Sequence, residues 1–388
     1  MSHRPCAIVG VGQTHHKSRR LDVSYAGLVR EAAFRALDDA HMTMADIDAV
    51  VVGKAPDLFE GVMKPELYLS DALGGTGKPF LRVHTAGSVG ATTGIVAASH
   101  VSTGKHDRVL AVAFEKQSEG NAQFALGSGR GGARGAGGAF APYIKSYIHR
   151  SGAPEHIGWK VAVKDRQNAL KNPFAHLKIQ DISLEKVKNS PMLWEPLRYL
   201  ESCPSSDGAC AIVIGSEEVA NAAAADGRPP AWFLGTSSRS EPSSFPGRDP
   251  VLPQACVLAT QDVYKQAGIT DPRRQIDMAE LYVPFSWYEA IWLEGHGIAE
   301  PGEGWRMIDS GETELTGAFP VNASGGVLSS NPIGASGLLR VAEAANQVRG
   351  MAGEHQVDGA KVALGMAYGA ANQYFSLAVL GSSLHPFD

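Results

Sequence analysis

Apolar positions along the chain alternate between two rhythms. Cys6–Val11 is a short apolar run closed by Gly12, and Ile47–Val52, Pro79–Val83 and Arg108–Phe114 repeat that character, which predicts buried strands. Between them, Ser24–His41 and Val89–Val101 carry apolar residues at helical spacing, the second stopped by Gly104. Thr43-Met44-Ala45-Asp46 reads as a capping box with Asp in the acidic place. Strands alternating with helices predict an α/β fold with buried sheets.

The pattern breaks between Glu115 and Ser206. Ala141–Arg150 and Glu155–Leu170 read as helices inside an insertion of about 90 residues, too long for a simple loop and expected to cap a site. The glycine-rich run Gly127–Gly138, with Arg130 and Arg134, lacks the spacing of a phosphate-binding P-loop. Asp207–Ile214 returns to strand character, with Cys210 a small core residue. From Ala231–Gly235 onward the order of the first half recurs. Ile47-Asp48-Ala49-Val50 has a counterpart in Ile276-Asp277-Met278-Ala279, and Gly87-Ser88-Val89-Gly90-Ala91 aligns with Asn331-Pro332-Ile333-Gly334-Ala335. The shared order favours duplication, with halves at 1–228 and 229–388. Asn331 is expected at or near an N-cap with Pro332 at the first helical position. Two equivalent helix starts, at Gly87 and Asn331, would then offer free N–H groups to one site.

Composition narrows the function. Of 388 residues 44% are hydrophobic and 19% charged, the profile of a large globular core. A formal net charge of -5 without a long basic run argues against nucleic acid as a partner. Cys6, Cys203, Cys210 and Cys256 show neither metal-ligand nor disulfide-framework spacing, which points to a reducing cytoplasm. No apolar run reaches the roughly 20 residues needed to span a bilayer, and no signal peptide opens the chain.

Asn322-Ala323-Ser324-Gly325-Gly326 followed by Asn331-Pro332-Ile333-Gly334-Ala335-Ser336-Gly337 resembles the paired motifs of the thiolase superfamily, in its sterol-carrier and lipid-transfer type. Asn172-Pro173-Phe174-Ala175, Pro204-Ser205-Ser206-Asp207-Gly208-Ala209 and Ala279-Glu280-Leu281-Tyr282-Val283-Pro284-Phe285 extend the resemblance over nearly the whole chain. It implies a thiolase fold, a duplicated α/β/α/β/α five-layer core, with an inserted cap at about 115–206. It also implies a homodimer and acyl-CoA thioester chemistry, with coenzyme A as part of the substrate and no tightly bound cofactor. The departures are informative. The family's nucleophilic cysteine position is Gly87, the histidines of its two motifs are Asn331 and Tyr282, and its last active-site loop reads Met366-Ala367-Tyr368-Gly369-Ala370.

Without a thiolate, acyl transfer by the usual route is lost. Ser88 is expected to cap its helix rather than attack. Retro-aldol cleavage of a β-hydroxyacyl-CoA remains, with Tyr282 and Tyr368 as acid–base groups if their surroundings lower the phenol's ordinary pKa of about 10. Asn331 would hold the enolate oxygen, and Gly87, Ser88, Asn322 and Gly369 would complete the substrate and oxyanion contacts. A branch of the family with this pattern is the aldolases of steroid side-chain degradation. They release a 17-ketosteroid and propionyl-CoA and work with an OB-fold partner of the DUF35 type in a heterotetramer. Tyr288, Trp287 and Trp292 are expected in the core, and His84, His176 and His296 outside the site. The alternatives are a non-catalytic acyl-CoA or lipid binder and a thiolase-type acyltransferase using Ser88 or a distant cysteine.

Overall fold

The computed structural model describes residues 4–55, 61–120, 135–242, 247–249 and 251–387, so most of the glycine-rich run with Arg130 and Arg134 lies outside the described residues. Eleven strands form among the described residues: β1 (Cys6–Gln13), β2 (Ala49–Lys54), β3 (Phe80–Val83), β4 (Arg108–Lys116), β5 (Met192–Trp194), β6 (Leu197–Arg198), β7 (Asp207–Ser216), β8 (Ala231–Ser240), β9 (Met278–Glu280), β10 (Val362–Gly369) and β11 (Tyr374–Gly381). Nine of them make one sheet, ordered β3-β2-β4-β7-β1-β8-β11-β10-β9. β1 and β8 pair antiparallel at its centre, through Ala7 with Trp232 and Ile8 with Ala231.

Strand directions repeat outward from that junction. β7 is antiparallel to β1 and to β4, and β4 is parallel to β2. Likewise β11 is antiparallel to β8 and to β10, and β10 is parallel to β9. Single side chains repeat too. Asp48 accepts the N–H groups of Asp107 and Arg108 at 2.8 Å, where β4 begins. Asp277 accepts those of Lys361 and Val362 at 2.7 and 2.8 Å, where β10 begins. A carboxylate that satisfies two otherwise unpaired N–H groups locks each strand's entry, and it does so twice at corresponding positions.

Helix Tyr25–Ala40 covers one flank of the sheet and helix Gln254–Ala267 the other, while two central helices, Val89–Ser102 and Ile333–Val348, pack on each other and on both flanks. With one helix outside each half of the sheet and the central pair between the halves, the layers run α/β/α/β/α. Ser24 caps the first helix as expected, its hydroxyl accepting the N–H of Gly27 at 3.1 Å. Asp46 accepts both the N–H and the hydroxyl of Thr43 at 2.8 and 2.9 Å, completing the acidic side of the predicted box. The central helices touch backbone to backbone. A Cβ on Gly90 would lie 2.4 Å from the nitrogen of Leu338, and one on Gly337 would lie 2.8 Å from the nitrogen of Ala91.

The insertion folds into helices Gly135–Ser151 and His156–Lys171, the β5–β6 hairpin and a 3₁₀ turn at Tyr199–Glu201. Arg166 joins these parts. Its guanidinium donates to the carbonyls of Leu328 at 2.6 Å and of Leu200 and Ser202 at 3.1 Å, so a buried cation meets three acceptors. Glu201 is fully buried and accepts from the Ser286 hydroxyl and the Arg198 N–H, both at 3.0 Å. Among the described residues no helix is long and apolar enough to cross a membrane.

Two outcomes follow from this packing. Gly90→Ala and Gly337→Ala each drive a methyl into backbone that cannot swing away, so each lowers unfolding free energy by about 1–3 kcal/mol or more, measured by urea titration. Burial pushes the Glu201 carboxyl up to about 7 from its ordinary 4.5. The folded protein therefore holds this proton more tightly than the unfolded chain. The resulting stability is complete below pH 4.5 and is lost as pH rises through about 7. Glu201→Gln removes that share of the slope, on the order of 3 kcal/mol, and the difference between the two melting-temperature profiles reads it directly.

Candidate active site

The second central helix starts one residue later than the sequence predicts. Pro332, at φ -77° and ψ 88°, is its boundary residue and Ile333 the first helical one. Asn331 therefore points its amide elsewhere than into a cap. Its Oδ1 accepts hydroxyl protons from Ser336 at 2.8 Å and Tyr282 at 3.3 Å, and its Nδ2 donates to the Cys203 sulfur at 3.2 Å. Its main chain is fixed as well: the N–H donates to the Ser206 hydroxyl at 3.1 Å, and the carbonyl accepts from the Gln117 amide at 2.6 Å. The His176 ring nitrogen Nδ1 lies 2.9 Å from the same Ser206 hydroxyl.

Tyr282 and Tyr368 come together edge to face, their ring centroids 5.4 Å apart. Tyr368 sits in an aromatic enclosure: Trp292 at 4.9 Å, Tyr288 at 5.6 Å, Phe375 at 5.9 Å and Phe140 of the inserted segment at 6.2 Å. The Trp292 indole N–H donates to the Tyr282 carbonyl at 2.9 Å, so this core residue also fixes the catalytic candidate's backbone. The Tyr368 hydroxyl is buried and meets no hydrogen-bond partner among the described residues. The expected lowering of these phenols is reversed: burial, the largest cause for both, pushes Tyr282 and Tyr368 above the ordinary tyrosine value. Both are neutral hydrogen-bond donors at pH 7.

Gly87 stands beside them with little room behind it. A Cβ there would lie 3.1 Å from the Tyr368 carbonyl oxygen, and a Cβ on Gly369 would lie 2.4 and 2.6 Å from the nitrogens of Gly87 and Ser88. Backbone strain gathers at the same place. Ala86 has φ 52°, and Ala370, Ala371 and Asn372 follow Gly369 at φ 51°, 54° and 65°. Left-handed conformations at alanine are disfavoured and persist where the surroundings impose them.

Two expected roles are corrected by this geometry. Ser88 occupies the boundary position of the first central helix but does not cap it with its side chain. Its backbone is already helical, at φ -80° and ψ -4°, rather than extended as a capping residue's is, and its hydroxyl donates to the Thr85 carbonyl at 2.7 Å. Asn322 does not face the tyrosines with a free amide. Its Oδ1 accepts the Leu281 N–H at 2.8 Å and its Nδ2 donates to Asp165 at 3.3 Å, so it braces the strand end that leads into Tyr282.

Sequence reasoning missed Cys203, which sits directly before the Pro204-Ser205-Ser206-Asp207 segment that carried part of the resemblance. It also set His176 aside, although that residue follows the Asn172-Pro173-Phe174-Ala175 motif. His296 is structural: it is fully buried, bonded to the Thr260 hydroxyl at 2.8 Å and depressed to about 3 by burial.

The thiolase C-terminal domain-like family matches residues 237–382. Over 93% of its length the chain is 31% identical to an acetyl-CoA acetyltransferase of Methanothermobacter thermautotrophicus, of which it covers 95%. It is 29% identical to human sterol carrier protein 2 across 92% of this chain and 68% of that one. Among solved structures, the Ltp2-ChsH2(DUF35) aldolase matches with a TM-score of 0.83 at 28% identity over 98% of each chain. Whatever chemistry runs here begins from neutral phenols. A difference titration at 295 nm between the protein and its Tyr368→Phe or Tyr282→Phe variant should show no phenolate lost below about pH 10; a step near neutrality would reverse that assignment.

Proposed function

The chain belongs to the thiolase superfamily, in its sterol-carrier and lipid-transfer type, and from that premise we propose that it cleaves a β-hydroxyacyl-CoA by a retro-aldol reaction without a covalent acyl-enzyme. One observation carries this reading. The place of the family's nucleophile is a glycine walled in by the Tyr368 and Gly369 backbone, while two neutral phenols and the Asn331 amide converge beside it.

The reaction needs little else. The β-hydroxyl gives up its proton as its oxygen forms a ketone, the Cα–Cβ bond breaks, and its electron pair becomes the thioester enolate. The α-carbon then takes a proton, so one proton moves from oxygen to carbon and no electron acceptor is required. Tyr368, whose hydroxyl has no protein partner, is the group for the substrate hydroxyl. N–H groups at Gly87 and Gly369 and the second amide hydrogen of Asn331 are the donors for the enolate oxygen, a contribution worth several kcal/mol in comparable sites. Coenzyme A enters as part of the substrate.

The substrate we assign is a 17-hydroxy steroid side-chain CoA, giving a 17-ketosteroid and propionyl-CoA. The likeness to the Ltp2-ChsH2(DUF35) aldolase supports a DUF35-type OB-fold partner, with this chain as a homodimer at the centre of a heterotetramer. Four free cysteines fit a reducing cytoplasm. The acetyltransferase relative supports acyl transfer as a second reading. That reading must find a nucleophile where the Ser88 hydroxyl is committed to Thr85 and burial pushes the Cys203 thiol up to about 11.

Incubation with the 17-hydroxy steroid CoA and a co-expressed OB-fold partner should release ketone and propionyl-CoA in equal amounts. Tyr368→Phe should slow this by about 100-fold or more while leaving CoA-ester binding within a few-fold. Absence of both products with the partner present removes the aldolase reading. Binding without turnover, unchanged in Tyr368→Phe, points to a lipid binder, and a trapped acyl adduct points to acyl transfer.

A further inference from the structure

Retro-aldol cleavage handles a proton at two places, the departing hydroxyl and the α-carbon. The described site contains several protic side chains, and most are already committed. Ser336 and Tyr282 both give their hydroxyl protons to Asn331 Oδ1, at 2.8 and 3.3 Å. Ser88 gives its own to the Thr85 carbonyl. Two remain. The buried Tyr368 hydroxyl has no partner, and Cys203 receives a hydrogen bond from Asn331 Nδ2 at 3.2 Å without its own S–H meeting an acceptor among the described residues.

We infer that Cys203, held beside Asn331, is the acid that delivers the proton to the α-carbon of the enolate. This rests on the retro-aldol reading. The thiol is placed for the task by main chain. The Cys203 N–H donates to the Pro284 carbonyl at 2.9 Å, and Ser202 bridges to Phe285 beside it, so the residue is clamped to the segment that carries Tyr282. Arg166 holds the preceding carbonyl at 3.1 Å. Burial keeps the sulfur protonated.

The step balances. The Cys203 proton passes to the α-carbon as the Cα–Cβ pair arrives there, and the proton released by the substrate hydroxyl, which Tyr368 orients with its own hydrogen bond, returns to the Cys203 sulfur. Each side chain ends as it began, and no free tyrosinate or thiolate accumulates. Asn331 Nδ2, by donating to the sulfur, stabilises the thiolate character that develops while the proton is in transit.

The test reads the α-carbon step alone, as deuterium uptake from D₂O into the α position of propionyl-CoA by the full-length protein with its partner. The intact protein should catalyse exchange. Cys203→Ala and Cys203→Ser should each lose it by about 100-fold or more, with propionyl-CoA binding and melting temperature close to those of the parent. Serine keeps the size and the Asn331 contact, so rescue by Cys203→Ser would show a structural role and overturn the assignment. Exchange within a few-fold of the parent in Cys203→Ala, or none in the parent itself, would also overturn it. Ketone release is scored separately. Cysteine-dependent exchange without ketone from any β-hydroxyacyl-CoA would leave the acid in place and remove the cleavage reading instead.

Discussion

Two helices crossing with no side chain between them set the geometry of everything else. Where Gly90 meets Leu338 and Gly337 meets Ala91, the central pair is as close as backbone allows. That closeness lets one helix layer serve both flanks of the sheet. It also fixes the distance between the turn at Gly87 and the loop at Asn331, which lead into the two helices. Tyr368 reaches the first from the end of β10, and Tyr282 reaches the second just past β9. These contacts thus join segments that lie far apart along the chain.

Much of the fold was legible because it obeys short periods. Strands and helices followed from apolar spacing, and the alignment of Ile47-Asp48 with Ile276-Asp277 proved to be two carboxylates performing one task at the entries of β4 and β10. Sequence order could place Tyr282, Tyr368, Asn331 and Gly87 in one neighbourhood through resemblance. It could not supply their surroundings. The sign of the tyrosine shift depends on Phe140, Tyr288, Trp292 and Phe375, which arrive from separate segments, and burial by them reverses the expected lowering. Cys203 and His176 were missed for the same reason, since their partners Asn331 and Ser206 lie far along the chain.

Ser88, Asn331 and Asn322 show how local rules yield to the geometry around them. Serine before a helix usually caps it from an extended backbone, yet Ser88 already has helical angles and its side chain does not reach a helix N–H. Asparagine before proline suggests a cap, but the ψ of Pro332 delays the helix and frees Asn331 to gather two hydroxyls and a thiol. Asn322, itself at φ 54°, spends its amide on bracing.

The Arg166 guanidinium has a consequence for how the molecule opens. Its three carbonyl acceptors belong to the 3₁₀ turn, to the residue before Cys203 and to the short helix Gly326–Ser329 before Asn331. None of these segments can leave without stripping a buried cation of a hydrogen bond, so their exposures are energetically linked. The helix that carries Arg166, the turn around Leu200–Ser202 and the backbone at Leu328 are therefore expected to open together rather than one at a time.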